Sequence, residues 1–152
     1  MNATEAFVGD PQGWARLRLE LHDVHGLWGG RTCFVWGTGR VVAQIAPLPQ
    51  HEDRYATTVP PEVIVRLVMT LIEADFVSLR FPQRPRQPDE ACPAVLVVNP
   101  AGERRQVRKW ASDPHAGFEA VYQALCKLAD QARLGECLYQ GPFEAAFVPA
   151  VA

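Results

Sequence analysis

The residues most able to do chemistry in this chain stand in four small groups. His22-Asp23-Val24-His25, with His51 and Asp53 further on, has the side-chain types of a metal site. The spacing argues against one. Along a strand, positions three apart point to opposite faces, and the helical pair of histidines four apart that a zinc peptidase uses is missing. A solvated strand end is the expected role, with no metal and no cofactor. Gly37-Thr38-Gly39 has the glycines of a phosphate loop, but neither a helix nor a Lys-Ser/Thr pair follows, so a chain reversal is expected. Asp113 and His115 with Cys126 have the types of a thiol site. Asp113 is better placed as a helix cap, however, and Cys126 falls one position beside an apolar stripe. Arg104, Arg105, Arg108 and Lys109, next to Trp110, make a basic strip of the kind that contacts nucleic acid. Successive strand residues face opposite ways, and Glu103 and Asp113 dilute the charge. A solvated edge or outer strand face is therefore expected, and nucleic-acid binding is not. No GxSxG, HExxH or paired-carboxylate signature is present, so nothing here names a reaction.

Composition narrows the classes. A chain of 152 residues with 48% hydrophobic and 21% charged residues predicts one globular domain with a proper core. A formal charge of −2 supplies no attraction to nucleic acid or to an anionic membrane. No apolar run is long enough to span a membrane, and the start MNATEAFVGDPQGWARL has neither a basic nor a continuous apolar region of a signal peptide. A cytoplasmic location is expected. Cys33, Cys92, Cys126 and Cys137 include no CxxC and are expected to be reduced, some of them buried. Only an exported chain would favour disulfides, and their pairing stays open.

The elements that position these groups follow from hydrophobic period. The strongest is the stretch 59–81, where Pro61 suits a first helical position and Glu62 suits the positive end of the helix dipole. Ile64, Leu67, Val68, Leu71 and Ile72 recur at helical spacing, opposite Glu62, Arg66, Thr70 and Glu73. Before it, residues 1–13 read as a frayed lead-in. Residues 14–22 alternate as a half-exposed strand, with Ala15, Leu17, Leu19 and Leu21 on one side and Trp14, Arg16, Arg18, Glu20 and His22 on the other. Residues 32–36 and 40–45 predict a hairpin across Gly37-Thr38-Gly39, and 46–58 reads as a long polar connection. After the helix, the proline-rich segment 82–93 predicts a surface connection. A second hairpin is expected over 94–98 and 103–110, its first strand apolar on both faces. Asp113-Pro114 opens a second helix whose buried stripe includes Phe118, Val121, Tyr122, Leu125 and Leu128, with Gly135 beyond its end. The predicted fold is α+β: strand, hairpin, helix, hairpin, helix, an antiparallel sheet of about five strands with two helices on one face. The domain spans 14–135, and the apolar tail 136–152 is expected to dock on it, since disordered segments lack such residues. Leu17, Leu19, Val35, Leu67, Leu71, Leu96, Val121 and Leu125 are the expected core.

Several of these residues also carry a family resemblance. They are Gly26-Leu27-Trp28-Gly29-Gly30-Arg31-Thr32, Pro60-Pro61-Glu62, Glu73-Ala74-Asp75-Phe76 with Leu79, and the hairpin 95–107. In that punctuation the chain resembles the emfourin-type family over roughly 15–132. The family consists of small bacterial proteins associated with thermolysin-type metalloproteases, and the resemblance implies proteinaceous inhibition. The chain departs from it in the connections 46–58 and 82–93, in its four cysteines and in its apolar tail, and no functional residue is carried over.

The expected function is a non-enzymatic protein-binding module, a peptidase inhibitor or peptidase-associated protein in its sharper form. Its candidate partner contacts are Trp28, in a glycine turn, and Trp36, at a hairpin tip, because large aromatics anchor interfaces. The competing expectation is a small-molecule-binding or catalytic domain with its site between the sheet and the C-terminal tail.

Overall fold

Leu19 and Leu21 are buried on one side of the strand that every other element is built around, β1 (Arg18–His25), and Leu17, just before it, is buried as well. The computed structural model describes residues 1–85 and 87–150; Arg86 of the proline-rich connection and Val151 and Ala152 of the tail lie outside the described residues. β1 pairs antiparallel with β2 (Gly29–Trp36), which pairs with β3 (Arg40–Leu48) and that with β4 (His51–Thr58). The other edge of β1 takes β5 (Ala94–Val98), followed by β6 (Arg104–Arg108). β7 (Glu136–Pro142) closes the far side against β4. The result is one antiparallel sheet of seven strands, order β6-β5-β1-β2-β3-β4-β7, in place of the expected five.

Both extra strands lie where the sequence reads otherwise. The span 46–58 is not a connection: β3 runs on through Pro47 to Leu48, with a register shift between Ile45 and Leu48 that accommodates the proline, and β4 returns at once. The tail does dock, and it does so by donating β7 to the sheet.

Three helices cover one sheet face. α2 (Pro61–Glu73) buries Ile64, Leu67, Val68 and Leu71, and α3 (Ala116–Ala132) buries Phe118, Val121, Leu125 and Leu128. Together with the inward residues of β1, β2, β3, β5 and β6 they form the main core. The third helix, α1 (Ala3–Val8), replaces the frayed lead-in; Asn2 Oδ1 caps it by accepting from the Glu5 amide, and Val8 is buried in the main core. A 3-10 helix at Pro11–Arg16 then carries Trp14 inward, its indole N–H donating to Gly9 O at 2.9 Å, so Trp14 is not on the outer side of a strand. All eight expected core residues are buried, although Leu96 faces the other side of the sheet. Among the described residues no helix is long and apolar enough to cross a membrane.

Candidate functional site

The second face of the sheet is where side chains and surface loops converge. Part of it is covered by the tail. Phe34, Trp36, Val42 and Ala56 form a small apolar cluster there, and Phe147 packs edge-on against Phe34 with ring centroids 6.0 Å apart. Beside this cluster the tail is pinned by buried polar groups. Glu52, with 0% exposure, accepts from Gln44 Nε2 and from the Glu144 amide, each at 2.6 Å, and from Arg54 Nε. Gln44 Nε2 also donates to Glu144 O at 2.9 Å, and Arg54 Nη2 pairs with the Glu144 carboxylate at 3.3 Å. The Arg54 guanidinium lies between the Tyr139 and Phe147 rings, at 4.1 and 3.8 Å. Burial acts against its charge, but Glu52 outweighs that and holds the guanidinium more firmly protonated than usual. Arg54 Nη2 has that ion pair but no hydrogen bond among the described residues; the remaining groups satisfy one another, and together they act as a clasp.

Next to the tail, the sheet face opens into a cleft of about 540 Å³. Its floor includes His22, Thr32 and Ala94, its far wall comes from Arg84, Glu90 and Cys92 of the proline-rich connection, and Phe143 and Ala145 of the tail close the near side. The connection is tied down by Glu90, whose carboxylate accepts from the Ser112 amide at 2.8 Å and from its hydroxyl, and lies 3.5 Å from Arg84. Those Ser112 bonds hold the Glu90 carboxyl below the usual range. Arg84 also reaches Asp113 at 3.2 Å and lies over the Trp110 ring. Trp110 Nε1 is buried with no hydrogen-bond acceptor among the described residues.

At the mouth of the cleft the β1–β2 and β3–β4 reversals lie side by side. Gly29, at φ +81°, passes so close that a Cβ would meet Ala46 O at 2.1 Å, which explains the glycine there. Above it Trp28 is 50% exposed and stacks flat on His25 with centroids 3.5 Å apart, while Leu27 and Leu48 are each 65% exposed. Trp36 differs: at 8% exposure, stacked near Phe34, it keeps its ring inside and does not offer it to a partner.

The four chemical groups of the sequence are not assembled into one centre. His22 Nε2 bonds Glu20 Oε1 at 2.9 Å on the sheet face; His25 sits at the tip; His51 pairs with Asp53 at 3.1 Å; Asp23 accepts from the Tyr122 hydroxyl. Among the described residues no three His, Cys, Asp or Glu side chains are grouped to hold a metal ion. His115, not Asp113, caps α3, its Nδ1 accepting from the Phe118 amide at 3.1 Å. Cys126 lies in the core with Cys33, far from a working nucleophile: burial pushes both thiols up, Cys33 to about 12. Burial also raises the Cys92 thiol, which therefore stays protonated at neutral pH. Gly37-Thr38-Gly39 is the expected reversal, with Gly39 N donating to Trp36 O at 2.9 Å. The basic strip loses one member: Lys109 is 1% exposed, its Nζ bonding Trp110 O, Asp113 O and Glu119 Oε1. The clasp and the cleft wall escaped the sequence reading. Their signal was Glu52 and Arg54, two charges two residues apart among β-formers, which a strand places on one face.

No family model matches the chain, and neither a curated protein nor a solved structure does.

Proposed function

We propose that the chain is a non-enzymatic protein-binding module whose contact surface is the cleft mouth. The observation that carries this is the exposure of Trp28, Leu27 and Leu48 together on two adjoining reversals, held out by a glycine-dependent close approach. Rigid aromatic and aliphatic tips rimmed by polar groups are what interface centres are made of. Inhibition of a thermolysin-type peptidase is the sharper form, supported by the family resemblance in the same Gly26–Thr32 turn. A second function fits the cleft itself. Its size and its polar lining of His22, Arg84 and Glu90 suit a small-molecule site between sheet and tail.

The test is capture of partners on the immobilised chain, in parallel with Trp28→Ala and Leu27→Ser, together with titration of the chain into a thermolysin-type peptidase. A partner or an inhibited peptidase held by the wild type should be lost from both variants, the tryptophan truncation weakening binding by at least ~2 kcal/mol. Folded variants that bind as the wild type does would move the contact elsewhere, and turnover of a small molecule with no partner would favour the cleft site.

A further inference from the structure

Across the outer sheet face, carboxylates and cations are unequally matched. Glu20 is consumed by Arg18 at 2.8 Å and by His22, and Glu90 by Ser112 and Arg84. Burial alone would raise the Glu20 carboxyl; the His22 bond and the Arg18 charge prevail and keep it ionised. Arg104 and Arg108, on the same face of β6, are left with no carboxylate partner among the described residues, although the whole chain carries −2. Between them Gln106 stands beside the buried Leu96, and Arg108 reaches the cleft wall where the Trp110 indole lacks an acceptor. β6 is also the last strand of the sheet, so one row of its backbone donors and acceptors has no strand beside it.

We infer that β6 is the docking edge for an acidic, extended segment of a partner protein, which adds a strand to the sheet and sets alternate carboxylates against Arg104 and Arg108. This rests on the protein-binding function proposed above and names the chemistry of the partner. Strand addition draws affinity from main-chain hydrogen bonds, and side chains two apart fall on one face, which matches the arginine, glutamine, arginine row. A peptide is favoured over a nucleic acid on two grounds. Only a peptide backbone can use the free edge, and Trp110, the ring that lines the cleft beside Arg108, is buried and offers bases no stacking platform there.

The experiment measures fluorescence anisotropy of a tagged peptide of alternating Glu and Thr on the full chain, beside its Lys-Thr counterpart and a single-stranded oligothymidylate. The acidic peptide should bind, weaken with added salt, and lose about tenfold or more in affinity when Arg104→Glu and Arg108→Glu are combined, while Arg66→Ala, an exposed cation on α2, leaves it unchanged. Circular dichroism confirms that the variant is folded, and Arg104→Gln with Arg108→Gln provides a gentler second variant. No binding of the acidic peptide, binding indifferent to the arginines, or tighter binding of the oligothymidylate overturns the inference. If a captured partner is lost with Trp28→Ala yet kept by the arginine variants, the acidic segment is refuted while the binding-module function stands.

Discussion

Thr4 ties two distant segments together through one hydroxyl. Its Oγ1 donates to Asp75 Oδ1 at 2.9 Å and accepts from the Val77 amide at 3.0 Å, and its own N–H donates to the same carboxylate oxygen at 3.0 Å. Asp75 sits at φ +43° where the chain leaves α2, a left-handed position that its hydrogen bonds compensate. The Thr4 amide bond, more than the hydroxyl, holds the Asp75 carboxyl below the ordinary range. A depressed folded value means the contribution is complete at neutral pH and disappears as the solution is acidified past the usual aspartate range. Thr4→Val keeps the shape and removes both hydroxyl roles, leaving the Val77 amide unsatisfied. It should lower stability by about 1–3 kcal/mol, seen as a lower urea midpoint at unchanged slope. The acid-induced loss should be smaller in the variant than in the wild type; equal midpoints would remove the hydroxyl from the clamp. Residues 1–13 read as a frayed lead-in, although Asn2 followed by Glu5, with Gly9 beyond, is a helix start and stop that could have been legible. The partner Asp75 was not, because a contact between two chain segments this far apart leaves no local period.

The strand β4 marks where pattern reasoning failed and why. Its residues Glu52, Arg54 and Ala56 share one face, but two of the three are charged, so the face does not look buried. What buries it is β7 and the tail, whose own sequence has no clean period. The two elements are legible only together. β5 and the two long helices, by contrast, bury runs of Val, Leu and Phe and could be read directly, while the arginines of β6 pointed to a solvated edge or outer strand face without deciding between them. The clasp makes a strong demand on Glu52. Glu52→Ala would leave Arg54 Nε and the Glu144 amide without their acceptor and take one of the two acceptors of Gln44 Nε2, at about 3–5 kcal/mol. Because these groups hold Glu144, limited proteolysis should cut the tail near Glu144 much faster in the variant, with the helical face still protected. Equal cleavage of the wild type and the variant would show that Phe147 and β7 suffice to hold the tail.

At the scale of the whole molecule, the sheet divides the thiols into classes. Cys33 of β2 and Cys126 of α3 lie in the core, Cys92 is half-buried in the cleft wall, and Cys137 is exposed on β7. With a chromogenic disulfide reagent, Cys137 should react first and Cys92 more slowly, while Cys33 and Cys126 should react only on unfolding. Fewer than four thiols titrating in denaturant would mean that a disulfide had formed. The strand order has a different consequence. β1 meets β2 across one short turn, but its other neighbour, β5, comes after two more strands and a helix. On the ribosome, β2, β3 and β4 can zip onto β1 as they emerge, while the far edge of β1 stays bare until residues 94–98 are made. At roughly 5–20 residues per second that wait is on the order of several seconds. Leu19 and Leu21 lie along that bare edge, so neighbouring nascent chains on one messenger compete with β5 for it. Slow codons between residues 59 and 93 would lengthen the competition, and swift translation there favours the monomeric sheet.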